Sequence, residues 1–198
     1  SGTNLAHYTY TYDAQSRMTS ESRDGTLKTY TYDSTDQLTG DGTNSFTYDA
    51  NGNRTNAGYT TGSDNRLTSD GTWNYGYDAE GNRTSKTSIG TSETWTYGYD
   101  QRNQLVKVER KTNGTDIDLR VEYKYDAWGN RIQKSVDADG DGAGSADVIK
   151  FALDGWNPAK PTPVGTENYD VWADLKADGS LKTEYFRGDM VDQLFARI

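Results

Sequence analysis

No cysteine occurs among the 198 residues, so disulfide staples and thiol catalysis are both excluded. The one histidine, His7, rules out multi-histidine metal centres, and no Gly-x-Ser-x-Gly elbow accompanies it for a Ser-His-Asp triad. Leu, Ile, Val and Phe number only 27, about 14% of the chain, a level that with a net charge of −9 ordinarily signals disorder. No apolar run approaches the roughly 18 residues of a transmembrane helix, and no signal-peptide pattern stands at the start. The acidic balance disfavours nucleic acid and anionic membranes as partners, since both need clustered Lys and Arg. A phosphate loop ending in Gly-Lys-Ser/Thr is missing too, and "GDGAG" at 140–144 does not keep Gly-x-Gly-x-x-Gly spacing. The three prolines all fall in "NPAKPTP", 157–163, after 157 residues with none, which reads as a loop or sheet edge where a regular pattern gives way.

What is abundant argues for order. Fifteen Tyr and five Trp supply large contact areas. Tyr, Thr and Trp favour strands, while the many Gly, Asn and Asp favour turns. The fold class is therefore all-β, with a polar surface.

The stretch "YDANGNRT" at 48–55 returns as "YDAEGNRT" at 77–84 and "YDAWGNRI" at 125–132. Tyr-Asp pairs stand at Tyr12-Asp13, Tyr32-Asp33, Tyr48-Asp49, Tyr77-Asp78, Tyr99-Asp100 and Tyr125-Asp126, and in another context at Tyr169-Asp170. Six residues after each of the first six Tyr comes Met18, Leu38, Arg54, Arg83, Leu105 or Arg131. "DNRLT" is a half-motif that puts Leu67 six residues after Thr61, and "FALDGWN" is a degenerate copy with Leu153-Asp154 in place of Tyr-Asp. Self-similarity at this spacing marks a repeat architecture.

Each copy reads as one β-hairpin. Tyr8, Tyr10 and Tyr12 alternate, as do Trp95, Tyr97 and Tyr99, so each set lies on one face of a strand. The Asp side chain accepts hydrogen bonds from N–H groups two residues on, and Gly52, Gly81 and Gly129 sit where a positive φ suits a turn followed by a bulge. Asp178-Gly179 signals one further hairpin, expected to be of the two-residue type. A lone hairpin is marginal, but hairpins laid side by side are expected to bury the Tyr stripe as an aromatic ladder in one continuous antiparallel sheet. The expected organisation is a single module over 1–198: regular hairpins over about 7–136, an Asp/Gly-rich insertion at 137–147, and a Pro-containing loop with final hairpins at 148–198.

"YDANGNRT", "YDAEGNRTSKT", "YDQRNQLVKV" and "YDAWGNRIQKS" resemble the YD repeats of the Rhs family, also found in teneurins and insecticidal toxin complexes. The resemblance covers residues 8–198, the tail "FALDGWNP…LKTEYFRGDMVDQLFARI" being similar to the stretch that enters the family's core. It implies a long β-strip spiralling into a hollow shell that holds or displays an effector, in a secreted or cell-surface and in all expectation bacterial protein. The family's self-cleaving segment and toxin domain would lie beyond residue 198, so the expectation is a patch of wall.

Candidate chemistry is sparse. Most of the 23 Asp sit in turn contexts, which explains them without a catalytic carboxylate pair. "DADGDGAGSAD" at 137–147 sets Asp137, Asp139, Asp141, Gly142 and Ser145 at positions 1, 3, 5, 6 and 9 of a calcium loop, but position 12 is Val148 and Asp147 stands at 11. Two readings of it stand: a structural Ca²⁺ site on Asp137, Asp139, Asp141, Ser145 and Asp147, or an acidic insertion without metal. The aromatic stripes offer faces for glycans, yet their recurrence in every hairpin fits a sheet-building role; Trp128 and Trp156 break the pattern. The Asn-x-Thr sequons at Asn53 and Asn82 follow from the repeat itself, and a third stands at Asn113. The expected function is a non-catalytic structural wall with no required cofactor. The alternatives are a self-assembling fibre or adhesin that pairs copies through open sheet edges, and a carbohydrate-binding module.

Overall fold

The structure, a computed structural model, describes residues 6–142, 146–154, 170–187 and 194–198. The chain divides into two compact units, Ser1–Thr72 and Trp73–Ile198.

In the first unit, β1 (Tyr8–Tyr12), β2 (Met18–Arg23) and β3 (Thr26–Thr29) form a three-stranded antiparallel sheet. The chain continues through β4 (Thr31–Tyr32) and β5 (Leu38–Gly40), a bridged hairpin at Tyr48 and Arg54, and β6 (Tyr59–Thr61) with β7 (Leu67–Asp70). In the second unit, ten strands pair antiparallel in chain order. They are β8 (Trp73–Tyr77), β9 (Arg83–Ser88), β10 (Thr94–Tyr99), β11 (Leu105–Lys111), β12 (Leu119–Tyr125), β13 (Arg131–Asp137), β14 (Asp147–Asp154), β15 (Asp170–Leu175), β16 (Leu181–Arg187) and β17 (Leu194–Arg197). The expected all-β architecture of tandem hairpins is what is found. The single helical turn among the described residues is a 3-10 segment, Ser63–Asn65.

The six-residue spacing in the sequence is a register rule. Tyr12 pairs with Met18, Tyr32 with Leu38, Tyr48 with Arg54, Tyr77 with Arg83, Tyr99 with Leu105 and Tyr125 with Arg131. The half-motif obeys it as Thr61 with Leu67, and an unmarked copy as Leu175 with Leu181. At each of these strand pairs a bulge falls just before the first partner, as between Lys124 and Tyr125. The same shift precedes Leu153, but its partner is Val171 and not the residue six further on, so "FALDGWN" shares the bulge and not the register; Trp156 and the prolines of "NPAKPTP" lie outside the described residues.

The hairpin at Asp178-Gly179 is not of the two-residue type. Lys176 donates its N–H to Ser180 O at 2.8 Å, and Gly179 donates to Lys176 O at 2.9 Å. Three residues thus loop out, the last being left-handed Gly179 with φ 88. This is the type I turn plus bulge of the Tyr-Asp copies, and Asp178 acts as the cap by accepting from Ser180 N–H at 2.9 Å. Without Asp at position 176, the local Asp-Gly signal misassigned the loop length.

The left-handed position, four residues after each Tyr, is filled by Gly52, Gly81 and Gly129, but also by Ser16, Asp36 and Asn103 with φ of 64, 67 and 58. Asp36 accepts from the Arg17 guanidinium, whereas the bond of Ser16, from its N–H to Asp13 O at 3.0 Å, is the backbone bond that every copy makes. Ser16→Gly is therefore expected to raise stability by about 0.5 kcal/mol, the relief of left-handed strain exceeding glycine's added chain entropy. A rise in the urea unfolding midpoint checks it.

The core is thin. Among the described residues only Val108, Val121 and Ala173 are buried apolar side chains, and no large side chain is fully buried. Val108 and Val121 face each other across β11 and β12 in a row that runs from Tyr97 to Val136. With so little apolar burial, order must come from repeated hydrogen bonding and from aromatic contacts.

Candidate functional site

The recurring unit is a capped turn. Oδ1 of Asp13, Asp33, Asp49, Asp100 and Asp126 each accepts two backbone N–H groups, from the residues two and four further on, at 2.8 to 3.0 Å. Asp78 takes the Asn82 N–H at 2.7 Å in the same way. In the Gly-Asn copies the Asn closes the other side: Asn53, Asn82 and Asn130 each donate Nδ2 to Oδ2 of the Asp at 3.0 Å. Two of these amides also reach the next turn, Asn53 to Asn65 Oδ1 at 3.0 Å and Asn82 to Asn103 Oδ1 at 2.9 Å. The first two sequon asparagines are thus turn parts.

A second device joins hairpin to hairpin. Tyr32 donates its hydroxyl to Met18 O at 2.9 Å, Tyr48 to Leu38 O at 2.7 Å, Tyr99 to Arg83 O at 3.1 Å and Tyr125 to Leu105 O at 2.8 Å. Each acceptor is the residue paired with the Tyr of the preceding hairpin. The Tyr that opens one turn therefore ties down the far strand of the turn before it. Sequence reasoning assigned these rings to packing alone and missed the hydroxyl's task.

The aromatic ladder differs from expectation. Cations stand between the rings of alternate strands. Lys86 Nζ lies 3.8 Å from the Trp73 ring centroid and 6.0 Å from that of Trp95. The Arg83 guanidinium is 5.5 Å from Tyr75 and 5.2 Å from Tyr97, and Arg131 is 5.4 Å from Tyr123 and 5.3 Å from Phe151. The physical reason is spacing. Rings on alternate strands are about 9.6 Å apart, beyond ring-stacking range, and the strand between them carries Lys or Arg. The Tyr8 and Tyr10 rings, 6.4 Å apart, stack along a single strand. Nor is the stripe buried at its start: Tyr8, Tyr10 and Tyr12 are 48, 48 and 60% exposed.

The acidic insertion brings Asp137, Asp139 and Asp141 together, with one carboxylate oxygen of each within 4.8 Å of the others. Asp137 is already engaged as a turn cap, accepting from Gly140 N–H at 2.9 Å and Gly142 N–H at 3.1 Å. Its hydrogen bond to Asp137 and the charge of Asp141 hold the Asp139 carboxyl above the usual carboxylate range. Asp147 is not in this group; it opens β14, paired with Val136, and its carboxylate is 3.8 Å from Lys182 Nζ. Ser145 lies outside the described residues. His7 is exposed and donates its backbone N–H to Asp24 Oδ1 at 2.8 Å. Trp128, 59% exposed, stands in the Asp126 turn, to which it donates its N–H.

The caps make stability pH-dependent. Backbone N–H groups hold the Asp13 and Asp33 carboxyls below the usual range, and the Asn side chains do so for Asp49 and Asp78. Asp41, held by the Asn44 N–H, and Asp118, held by the Thr112 hydroxyl and Arg110, fall to about 2. Folded values below unfolded ones mean that the carboxylates stabilise the fold above about pH 4 and that this is lost as pH falls toward about 2. The urea midpoint is expected to decline over that window, and to decline less in Asp118→Asn. Asp139, shifted upward, opposes the trend.

The teneurin YD-shell family profile matches residues 2–142. No curated protein matches the chain. Among solved structures, the TcdB2-TccC3 crystal structure is 17% identical over 74% of this chain and 6% of that one, with a TM-score of 0.37. The Tc holotoxin pore of Photorhabdus luminescens is 14% identical over 92% of this chain and 8% of that one, with a TM-score of 0.43. A porin-like protein from Bacteroides uniformis is 13% identical over 92% of this chain and 77% of that one, with a TM-score of 0.42. The chain thus spans 6% to 8% of the length of the Tc chains it matches.

Proposed function

The chain belongs to the teneurin YD-shell family, and on that premise we propose that it serves as a length of structural wall in a secreted or cell-surface YD-repeat shell. It performs no catalysis in this role; its partners are further hairpins of the same kind. The observation that carries this reading is the uniformity of the machinery. A catalytic or ligand site is built once, whereas here the Asp cap recurs in six turns and the Tyr-to-carbonyl tie at four hairpin junctions. Stability in such an array is a sum of hairpin and junction contributions, which suits a wall whose task is to hold its form.

The intact mass of the polypeptide carrying these residues, isolated from its native source, tests the reading. A wall segment requires a mass far above 22.0 kDa. A mass near 22.0 kDa would overturn it in favour of a subunit whose sheet edges are covered by other copies.

A further inference from the structure

The chain carries the Asn-x-Thr motif at Asn53, Asn82 and Asn113, and the fold treats the three differently. Asn53 and Asn82 stand half-buried in Asp-capped turns. An asparagine amide carries two hydrogens, and at both sites both are spent. Asn53 Nδ2 donates to Asp49 Oδ2 at 3.0 Å and to Asn65 Oδ1 at 3.0 Å. Asn82 Nδ2 donates to Asp78 Oδ2 at 3.0 Å and to Asn103 Oδ1 at 2.9 Å. A substituent on either nitrogen would break the cap or the link to the next turn.

Asn113 is built otherwise. It lies in the loop 112–118 between β11 and β12, at the strand ends away from the Asp100 and Asp126 turns, and residues 112–116 are all exposed. Its Oδ1 accepts the Thr115 N–H at 3.0 Å and the Asp116 N–H at 2.9 Å, which closes an Asx turn over the motif. Its Nδ2 donates to Asp116 Oδ2 at 2.9 Å, and the Thr115 hydroxyl donates to the same oxygen at 3.1 Å. The second amide hydrogen meets no acceptor among the described residues. The loop rests on its neighbour through Gly114, where an added carbon would stand 3.2 Å from Ser92 Cβ, and this leaves Asn113 exposed.

We propose that Asn113 is an N-glycosylation site, taking a sugar activated as a diphosphate from a glycosyltransferase. Nδ2 attacks the anomeric carbon and forms the N–C bond. The bond from that carbon to the diphosphate oxygen breaks, its electron pair leaves with the diphosphate, and one Nδ2 proton passes to a base of the transferase. The hydrogen that stays on Nδ2 keeps its bond to Asp116, and Oδ1 keeps both of its N–H donors, so the Asx turn survives the modification. The inference rests on the secreted or cell-surface placement in the wall reading. It adds that the sheet edge carrying the 112–118 loop faces solvent, since a glycan there is bulky and hydrated.

The folded chain is treated with either of two purified systems: a soluble asparagine glycosyltransferase with UDP-glucose, or a single-subunit oligosaccharyltransferase with a lipid-linked oligosaccharide. Free peptides of residues 48–58, 77–87 and 108–118 are treated alongside, and mass spectrometry of proteolytic fragments follows each site. In the folded chain Asn113 should be modified at least about tenfold faster than Asn53 or Asn82, whose reaction requires the loss of a hydrogen bond. Among the free peptides, where no fold holds the amides, that preference should vanish. A single hexose or a whole oligosaccharide on Asn113 tells which donor serves. Thr115→Ala, which keeps the backbone turn and removes the hydroxyl, should abolish the modification. No modification of Asn113 in the folded chain by either system, equal rates at the three sites there, or the same preference among the peptides would each overturn the inference. None of these results touches the wall reading, which stands or falls on the mass of the native polypeptide.

Discussion

A Gly140→Ala chain is expected to lose about 3 kcal/mol of stability, and a Gly179→Ala chain only about 1 kcal/mol. Both glycines are left-handed, with φ of 68 and 88, so both substitutions incur the strain of an L side chain there. They differ in what a methyl group would meet. At Gly179 nothing lies within 4 Å of the added carbon. At Gly140 the added carbon would stand 2.6 Å from Ile117 Cγ2, 2.6 Å from Ile117 O and 2.8 Å from Ile117 C. Two of those atoms are backbone, so relief requires the loop before β12 to move away from the acidic loop after β13. The same shift would disturb the bond from Gly140 N–H to Asp137 Oδ1 and with it the carboxylate cluster. Urea denaturation of the two variants separates the terms, and equal losses would show that the close approach of Gly140 to Ile117 is wrong.

The second large effect falls on the hairpin junction. Tyr125→Ala should cost about 2 to 3 kcal/mol, removing both a half-buried ring and the hydroxyl bond to Leu105 O, while Tyr125→Phe should cost about 1 kcal/mol for the bond alone. The location matters as much as the size. Tyr125 sits where β12 leaves β11, in the middle of ten strands that touch only their neighbours in order. In a quasi-one-dimensional array the loss of one junction weakens coupling between the two sides, so β8–β11 and β12–β17 should begin to unfold separately. Hydrogen exchange in intermediate urea would detect this as two protection levels in Tyr125→Ala and one in the parent chain.

Which parts of this were readable in the sequence follows from range. The six-residue interval from Tyr12 to Met18, or from Tyr125 to Arg131, is local, and it fixes the turn, the bulge and the pairing within a hairpin. The Asp cap is local too, spanning at most four residues. Junctions are not local. Tyr32 reaches back 14 residues to Met18 and Tyr125 reaches 20 to Leu105, because insertions of different length separate the copies. No fixed spacing exposes those pairs. The interleaved cations were hidden for the same reason: Arg131 meets Phe151 only because β13 lies beside β14. At 178–179 the local signal was strong and still misleading, since Asp-Gly belongs to both two-residue and three-residue loops, and the register of Leu175 with Leu181 decides between them. The acidic stretch showed its carboxylate content and its turn glycines. It did not show that Asp147 leaves the group to open a strand.

Cryo-electron microscopy of the native particle that contains these residues separates a shell wall from a free-standing subunit. The expected result is a continuous sheet in which Trp73–Ile198 forms part of the wall of an enclosed volume, with the Tyr125 hydroxyl on the Leu105 carbonyl. A filament of 22.0 kDa subunits joined edge to edge, or a separate cleft with a bound ligand and no enclosed volume, would contradict it.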